Sequence, residues 1–297
     1  MINRYAWWAI SLFAFGGLIS CSDSHPPRNR SLDIVDFPPL PHPPTYRPAD
    51  FFSDPQAIEL VTAVQRADLA TIDELVAAGA DVDVTGKDGA NPLTWALLKQ
   101  KKTAFKWLLG KGANPNHLVM GGVPLVDIAA RNGEDSEWLE LLLKYKADPN
   151  VAYGRDRHMA LNSGIYYATG EGQKRNLELL IHAGADLNHL DDFGSTPMLI
   201  AMAHNRYDMA CRLLEAGADY RIKDKRERDL AYYVITSKFQ PGTEGWPWRE
   251  KLIDILAEKN ADFGPSEAKV AAEWPEAFER WQAYLGDRRR NNQIVPK

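Results

Sequence analysis

The chain has 297 residues, 45% of them hydrophobic and 25% charged, with a formal net charge of −5. The charge becomes −6 once the first twenty residues, which hold Arg4 and no acid, are set aside. A mildly acidic body lacks the clustered Lys and Arg that displace counterions from a phosphate backbone, which excludes nucleic acid as the expected partner.

Met1-Ile2-Asn3-Arg4 is a short cationic start. Tyr5 to Ile19 is an apolar run too short and too abruptly ended for a stable membrane span. The pattern predicts an export signal over residues 1–20. It closes on Leu18-Ile19-Ser20-Cys21, which resembles the lipobox of bacterial lipoproteins, where the cysteine is acylated and becomes the new N-terminus. An ordinary signal peptide with an incidental cysteine, or an N-terminal anchor helix, is the other reading of this run. The resemblance implies lipid on Cys21, palmitate among the chains, each buried CH₂ contributing roughly 0.8 kcal/mol. Ser22 stands where enterobacterial lipoproteins carry Asp for inner-membrane retention, which implies the outer membrane, facing the periplasm.

Residues 21–53 read as the lipidated cysteine and a tether. Pro26-Pro27, Pro38-Pro39, Pro41, Pro43-Pro44 and Pro48 favour extended polyproline geometry, and no helical or alternating pattern interrupts them. The folded part begins near Asp54-Pro55, where Asp54 caps a helix and Pro55 fills its first turn.

From there a tag recurs: Gly79-Ala80-Asp81, Gly112-Ala113-Asn114, Lys146-Ala147-Asp148, Gly184-Ala185-Asp186, Gly217-Ala218-Asp219 and Asn260-Ala261-Asp262. Successive copies start 33, 34, 38, 33 and 43 residues apart, the spacing of stacked helix-pair units. Apolar residues lie three, four and seven places before a tag, as Leu109, Leu108 and Phe105 do, forming one helix face. The tag glycine then predicts a left-handed helix stop. Asn91-Pro92-Leu93-Thr94-Trp95-Ala96, Val123-Pro124-Leu125-Val126-Asp127-Ile128 and Thr196-Pro197-Met198-Leu199-Ile200-Ala201 resemble the Thr-Pro-Leu-His-x-Ala signature of ankyrin repeats. The opening repeat lacks the threonine-proline start, and Met159-Ala160-Leu161 and Arg228-Asp229-Leu230 keep only the core leucine. The resemblance implies an all-α ankyrin-repeat solenoid of about six helix pairs with short β-hairpin loops over residues 54–263.

From core leucine to tag the distance is 19 residues for Leu93 and Met198, but 21 for Leu125, 23 for Leu161 and 30 for Leu230. The extra residues are expected in the inter-helix turns around Asn132-Gly133-Glu134-Asp135, Thr169-Gly170-Glu171-Gly172 and Phe239 to Trp248, with Trp246 and Trp248 folding back over the stack. Residues 264–297 read as a capping helical segment and a basic tail. Pro265-Ser266 starts one helix, Glu276 to Leu285 forms another, and Arg288-Arg289-Arg290 is expected in solvent or against anionic lipid.

No phosphate loop, Gly-x-Ser-x-Gly, His-Glu-x-x-His or Cys-x-x-Cys occurs, so no cofactor, metal or small-molecule substrate is inferred. His117 and His189 repeat in register, as solenoid positions do, and Asp191-Asp192 falls in a hairpin where turn chemistry explains it. Cys211 stands six residues before its tag, on a face that Asp73, Lys106, Glu140 and Glu178 give to solvent in other repeats. An inert, partly covered thiol and a reactive one are both open.

Ankyrin proteins bind mainly other proteins, through hairpin tips and a groove of first helices. Carried onto this chain, those positions are Lys87, Asp88, Lys99, Met120, Arg131, Arg155, Asp156, His158, Tyr166, Tyr167, Asp192, Phe193, His204, Asp224 and Lys225. The central tyrosines and arginines have the composition of interface hot spots. The expected function is a non-enzymatic protein-binding module tethered to the bacterial envelope. Two finer forms are an immunity protein that occludes a secreted toxin and a scaffold or stabilising factor for a periplasmic enzyme.

Overall fold

The structure, a computed structural model, describes residues 46–119, 122–132, 135–151, 171–238, 241–291, 293 and 295. The export signal, Cys21, the tether through residue 45, and Met120, Arg155, Asp156, His158, Tyr166 and Tyr167 lie outside the described residues. So do Leu161, Gly133, Glu134, Phe239 and Gln240.

The chain divides between Ala113 and Asn114 into two compact units. The first holds α1 (Pro55–Arg66), α2 (Leu69–Ala77), α3 (Pro92–Leu98) and α4 (Lys102–Gly110), with α1 packed on α2 and α3, and α3 on α4. The second opens on a hairpin, β1 (Leu118–Val119) antiparallel to β2 (Val123–Pro124), in which Leu118 faces Pro124. There follow α5 (Leu125–Arg131), α6 (Glu137–Lys144), α7 (Glu171–His182), α8 (Pro197–Ala203), α9 (Tyr207–Glu215), α10 (Leu230–Thr236), α11 (Trp246–Glu258), α12 (Gly264–Glu273) and α13 (Pro275–Arg290). First helices pack on first helices (α8 on α10) and second on second (α6 on α7, α9 on α11), while α12 and α13 cover α10. Glu171 and Gly172, expected in a turn, are helical.

Short polar side chains start the first helices. Asp54 accepts from the Ala57 amide at 2.9 Å, Asn91 from Thr94 at 2.8 Å and Thr196 from Leu199 at 3.3 Å, each followed by proline in the first turn. Asp54 and Pro55 thus cap and start the first helix as expected, without the threonine-proline form. One expectation is corrected here: the start of α10, expected to be less well specified because Arg228-Asp229-Leu230 keeps only the core leucine, is fixed by Asp229, which accepts from the Tyr232 amide at 3.0 Å and from the Ser266 hydroxyl at 2.6 Å. A second correction concerns the tether: Tyr46 to Ser53 belongs to the first unit. Phe52 is buried, and Phe51 and Phe52 meet the Trp95 ring edge-on at 5.4 and 6.3 Å.

Each tag opens on a left-handed residue, with φ of 96° at Gly79, 94° at Gly112, 67° at Lys146, 81° at Gly184, 102° at Gly217 and 53° at Asn260. The reversal lets each tag acid or amide accept from the backbone N–H two residues on, at 2.8–3.0 Å from Asp81 through Asp219. In the second unit the residue so held reaches the next repeat. Asn116 accepts from the Asp148 amide at 2.7 Å, Asn150 from Asp186 at 2.8 Å and Asn188 from Asp219 at 2.8 Å. The ladder stops at Arg221, which folds back onto Asp219 at 2.8 Å.

The final insertion is helix, not loop, from Trp246 onward. Thirteen residues long, α11 starts early enough to lay the Trp248 carbonyl 3.4 Å from the Cys211 sulfur. Cys211 is consequently 1% exposed, which decides between the two open readings in favour of the covered thiol, although its register position faces solvent in other repeats. Three of its register partners, Asp73, Glu140 and Glu178, carry ion pairs to the next repeat: Lys111 with Asp73 at 3.0 Å, Arg175 with Glu140 at 2.6 Å, and Arg212 with Glu178. Burial pushes the Cys211 thiol up to about 12, so it is an inert thiol.

The basic tail is corrected at one residue: Arg289 and Arg290 are exposed as expected, but Arg288 is buried in the last turns of α13, held by Glu250 at 3.1 Å, by Asp254 and by the Tyr284 hydroxyl at 2.7 Å. Trp281 stacks on Phe263 at 5.5 Å and donates its indole N–H to Glu267 at 2.6 Å, closing the sixth repeat.

Replacing Asn188 with Ala removes one rung and should cost about 1 kcal/mol in denaturant unfolding, with faster hydrogen exchange at the Asp219 amide. The unfolded Cys211 thiol ionises near its ordinary 9.0 and the folded one near 12. The unfolded chain therefore releases this proton first. Stability should fall across that window by at most about 1.4 kcal/mol per pH unit. Cys211→Ala should flatten the slope in unfolding curves taken at successive pH values.

Candidate functional site

The surface best defined by the described residues is formed by two neighbouring hairpin tips of the second unit. Asp191 is buried and accepts from the amides of Phe193 at 2.9 Å and Ser195 at 2.7 Å, while its own N–H donates to the Ser195 carbonyl. Asp224 does the same one repeat later, accepting from Arg226 at 2.8 Å and Arg228 at 3.0 Å. An acid held this way shapes a tight turn without a longer strand ladder. The tips are joined by the Lys225 amide, which donates to the Phe193 carbonyl at 3.1 Å. Gly194 permits the join: with φ of +73°, a β-carbon there would lie 3.0 Å from the Lys225 nitrogen.

This scaffold presents Phe193 at 61% exposure and Leu190 at 46%, with Asp192 and Lys225 exposed beside them. Asp224, expected to contact a partner, is corrected to a structural acid: it is buried and takes the Arg228 side chain at 2.7 Å. Arg228 in turn lies 5.2 Å from the Tyr233 ring centroid. His204 is exposed at the end of α8, and partial burial of its ring lowers its pKa, favouring the neutral imidazole. Arg131 is half-buried and turns back to Asp127 at 2.7 Å, so it is less available than its register position implied.

In the first unit Lys87 and Asp88 are exposed on their own tip, with Asp88 in the left-handed region. The Lys87 amide donates to the Phe51 carbonyl at 2.8 Å, repeating the tip-to-tip join of Lys225 with Phe193. Lys99 is not a free groove cation. Its ammonium lies 5.3 Å over Trp95, donates to the Tyr46 carbonyl at 3.4 Å, and has its pKa lowered by burial. The residues responsible, Tyr46 and Phe51, fall where the proline run directed attention to a tether. The spacing of Phe51 before Asp54-Pro55, matching Phe193 before Thr196-Pro197, was the available signal. Among the described residues no group of three or more His, Cys, Asp or Glu could hold a metal ion.

Sequence models of ankyrin repeats match residues 60–153 and 180–232. Similar proteins include the palmitoyltransferase-named ZDHHC13 of Danio rerio, 28% identical over an alignment of 233 residues that covers 66% of this chain and 36% of that protein. The ARF GTPase-activating protein Git of Drosophila melanogaster is 41% identical over 73 residues, 25% of this chain and 9% of its own length. Protein PhlB of Serratia liquefaciens is 31% identical over 125 residues, 42% of this chain and 53% of its own. The chain thus spans from under a tenth to about half the length of these relatives. The ankyrin repeat domain of Bcl-3 superposes with a TM-score of 0.56 at 21% identity, covering 69% of this chain and 86% of that one. The fold is the ankyrin-repeat fold.

Removing the tip acid by Asp224→Ala should leave the Arg226 and Arg228 amides unpaired and cost about 2–3 kcal/mol in chemical unfolding. Asp224→Asn, which keeps one acceptor oxygen, should recover roughly half of that loss.

Proposed function

Proceeding from an ankyrin-repeat array, we propose that this chain is a non-enzymatic module that binds a protein partner. It is held to the bacterial envelope by lipid on Cys21, facing the periplasm from the outer membrane. The observation that carries the reading is the pair of joined tips. Backbone fixed by two buried acids displays Phe193, Leu190, Asp192 and Lys225 toward solvent. Rigid display of an aromatic anchor beside charges lowers the ordering cost of association.

The proline-rich tether, at about 3.1 Å per residue, would hold the repeats away from the membrane and leave these tips accessible. A surface spanning three or four repeats would bury about 800 Å² per partner, a standard interface. His204, Lys87 and Asp88 extend the same kind of surface, each within its own unit. Met120, Arg155, Asp156, His158, Tyr166 and Tyr167 belong to the proposal by register.

Affinity capture from detergent-solubilised envelope, followed by mass spectrometry, tests the module reading. One protein should be retained in stoichiometric amount, and Phe193→Ala should weaken retention while changing unfolding free energy by less than about 0.5 kcal/mol. Recovery of no partner would sink the reading. A secreted toxin in the complex would identify immunity, and a periplasmic enzyme would identify scaffolding. Cys21→Ala should shift the protein from the membrane to the soluble fraction and abolish palmitate labelling.

A further inference from the structure

We infer that the first unit binds a segment of its own chain, residues 34–43, laid with one apolar face in the cleft between residues 49–54 and 84–87. Such a contact is separate from the module reading: it needs neither lipid on Cys21 nor a partner.

The cleft has a volume of about 480 Å³, within the size range of sites that enclose a ligand. Its apolar lining is Phe51, Phe52, Ala57 and Val84, of which Phe51 and Val84 are only half-buried. The two walls are joined by the Lys87 amide, which donates to the Phe51 carbonyl at 2.8 Å. Asp50, Asp54 and Lys87 line the cleft too, all exposed, and they bring both signs of charge. Charge therefore does not select the occupant; apolar surface and proximity do.

The chain ahead of Tyr46 supplies an apolar face of the matching kind. Polyproline geometry turns once in three residues, so positions three apart share a face. Ile34, Phe37, Leu40 and Pro43 fall on one such face, Val35, Pro38, Pro41 and Pro44 beside them, and Asp33, Asp36, His42 and Thr45 on the third. A plain spacer has no need of this sorting, whereas polyproline segments that are recognised dock on aromatic-lined grooves. The segment also ends beside the cleft: the Tyr46 ring meets Phe51 edge-on at 5.6 Å, and its carbonyl accepts from Lys99 at 3.4 Å. Leu40, six residues earlier, has a reach of up to about 20 Å, and Thr45 neither is nor precedes proline, so it can supply the reversal. A segment on so short a linker is present at about millimolar effective concentration. With an affinity of only about 100 μM it fills the cleft roughly nine-tenths of the time, whereas a separate molecule at about 1 μM and equal affinity fills it about one-hundredth. Residues 22–33, about 37 Å when extended, remain as spacer.

The test replaces Leu40 with p-benzoylphenylalanine in the full chain, purified in detergent, and maps the photoadduct in an equal mixture of ordinary and isotope-labelled copies. The adduct should lie within residues 49–57 or 84–87 of the same copy. Ile34→Asp with Phe37→Asp should cut its yield about tenfold, while Asp33→Ser with Asp36→Ser, on the polar face, should leave it unchanged. Circular dichroism should be the same for both pairs, because the substitutions precede Tyr46 and leave the repeats intact. An adduct joining two copies, one elsewhere in the chain, a detergent adduct or none would overturn the docking, as would equal yields from the two pairs.

Discussion

Each helix pair in this chain must reverse at a residue whose backbone lies in the left-handed region, and the remaining order follows from that reversal. It turns the next acid or amide so that its side chain closes on the amide two residues later. In the second unit its own N–H is left facing the preceding repeat, where Asn116, Asn150 and Asn188 accept it. The core leucines contribute more free energy, about 2 kcal/mol for each buried side chain against about 1 kcal/mol for each hydrogen bond. Hydrophobic burial has no direction, however, and would tolerate a slipped neighbour. The directional amide fixes the register at which the apolar faces meet.

The same economy of short polar side chains governs the tips. Asp191 and Asp224 are buried and hold backbone amides, with Asp224 also taking Arg228. Of the adjacent acids Asp191 and Asp192, the first is thereby used in architecture and the second is exposed. What remains for recognition is the residue carried at the crest, Phe193 on one tip and Arg226 on the next, in equivalent places of the turn. Function in such a chain is a matter of which side chains the scaffold leaves over.

The C-terminal end obeys a different balance. Arg249 is buried between Trp246, Trp281 and Tyr284, 4.5 Å from the Tyr284 centroid, and desolvation lowers its pKa. Arg288 beside it is buried with acids on α11 that remain partly solvated, which limits the desolvation cost. Aromatic faces and carboxylates together make two buried guanidinium groups tolerable where the asparagine ladder has ended at Arg221. The cap is therefore fastened by charge and stacking, and it retains Trp274 for solvent.

The sequence by itself determined the repeat, because the tag combines a backbone conformation with a helix stop, and both are local properties that any copy displays. It also located the helix starts at Asn91-Pro92 and Thr196-Pro197, since capping acts over three residues. It did not determine which polar residues are buried. Cys211 and Lys99 occupy register positions that the repeat pattern gives to the surface, and Arg288 belongs to a terminal basic run; each is covered by a partner distant in sequence, Trp248, Tyr46, or Glu250 and Asp254, while Asp224 is covered by its own tip and Arg228. Only the tertiary structure decided those. Exposure depends on which surface packs above a residue, and that surface is set by insertion length and helix start, quantities that local periodicity does not encode.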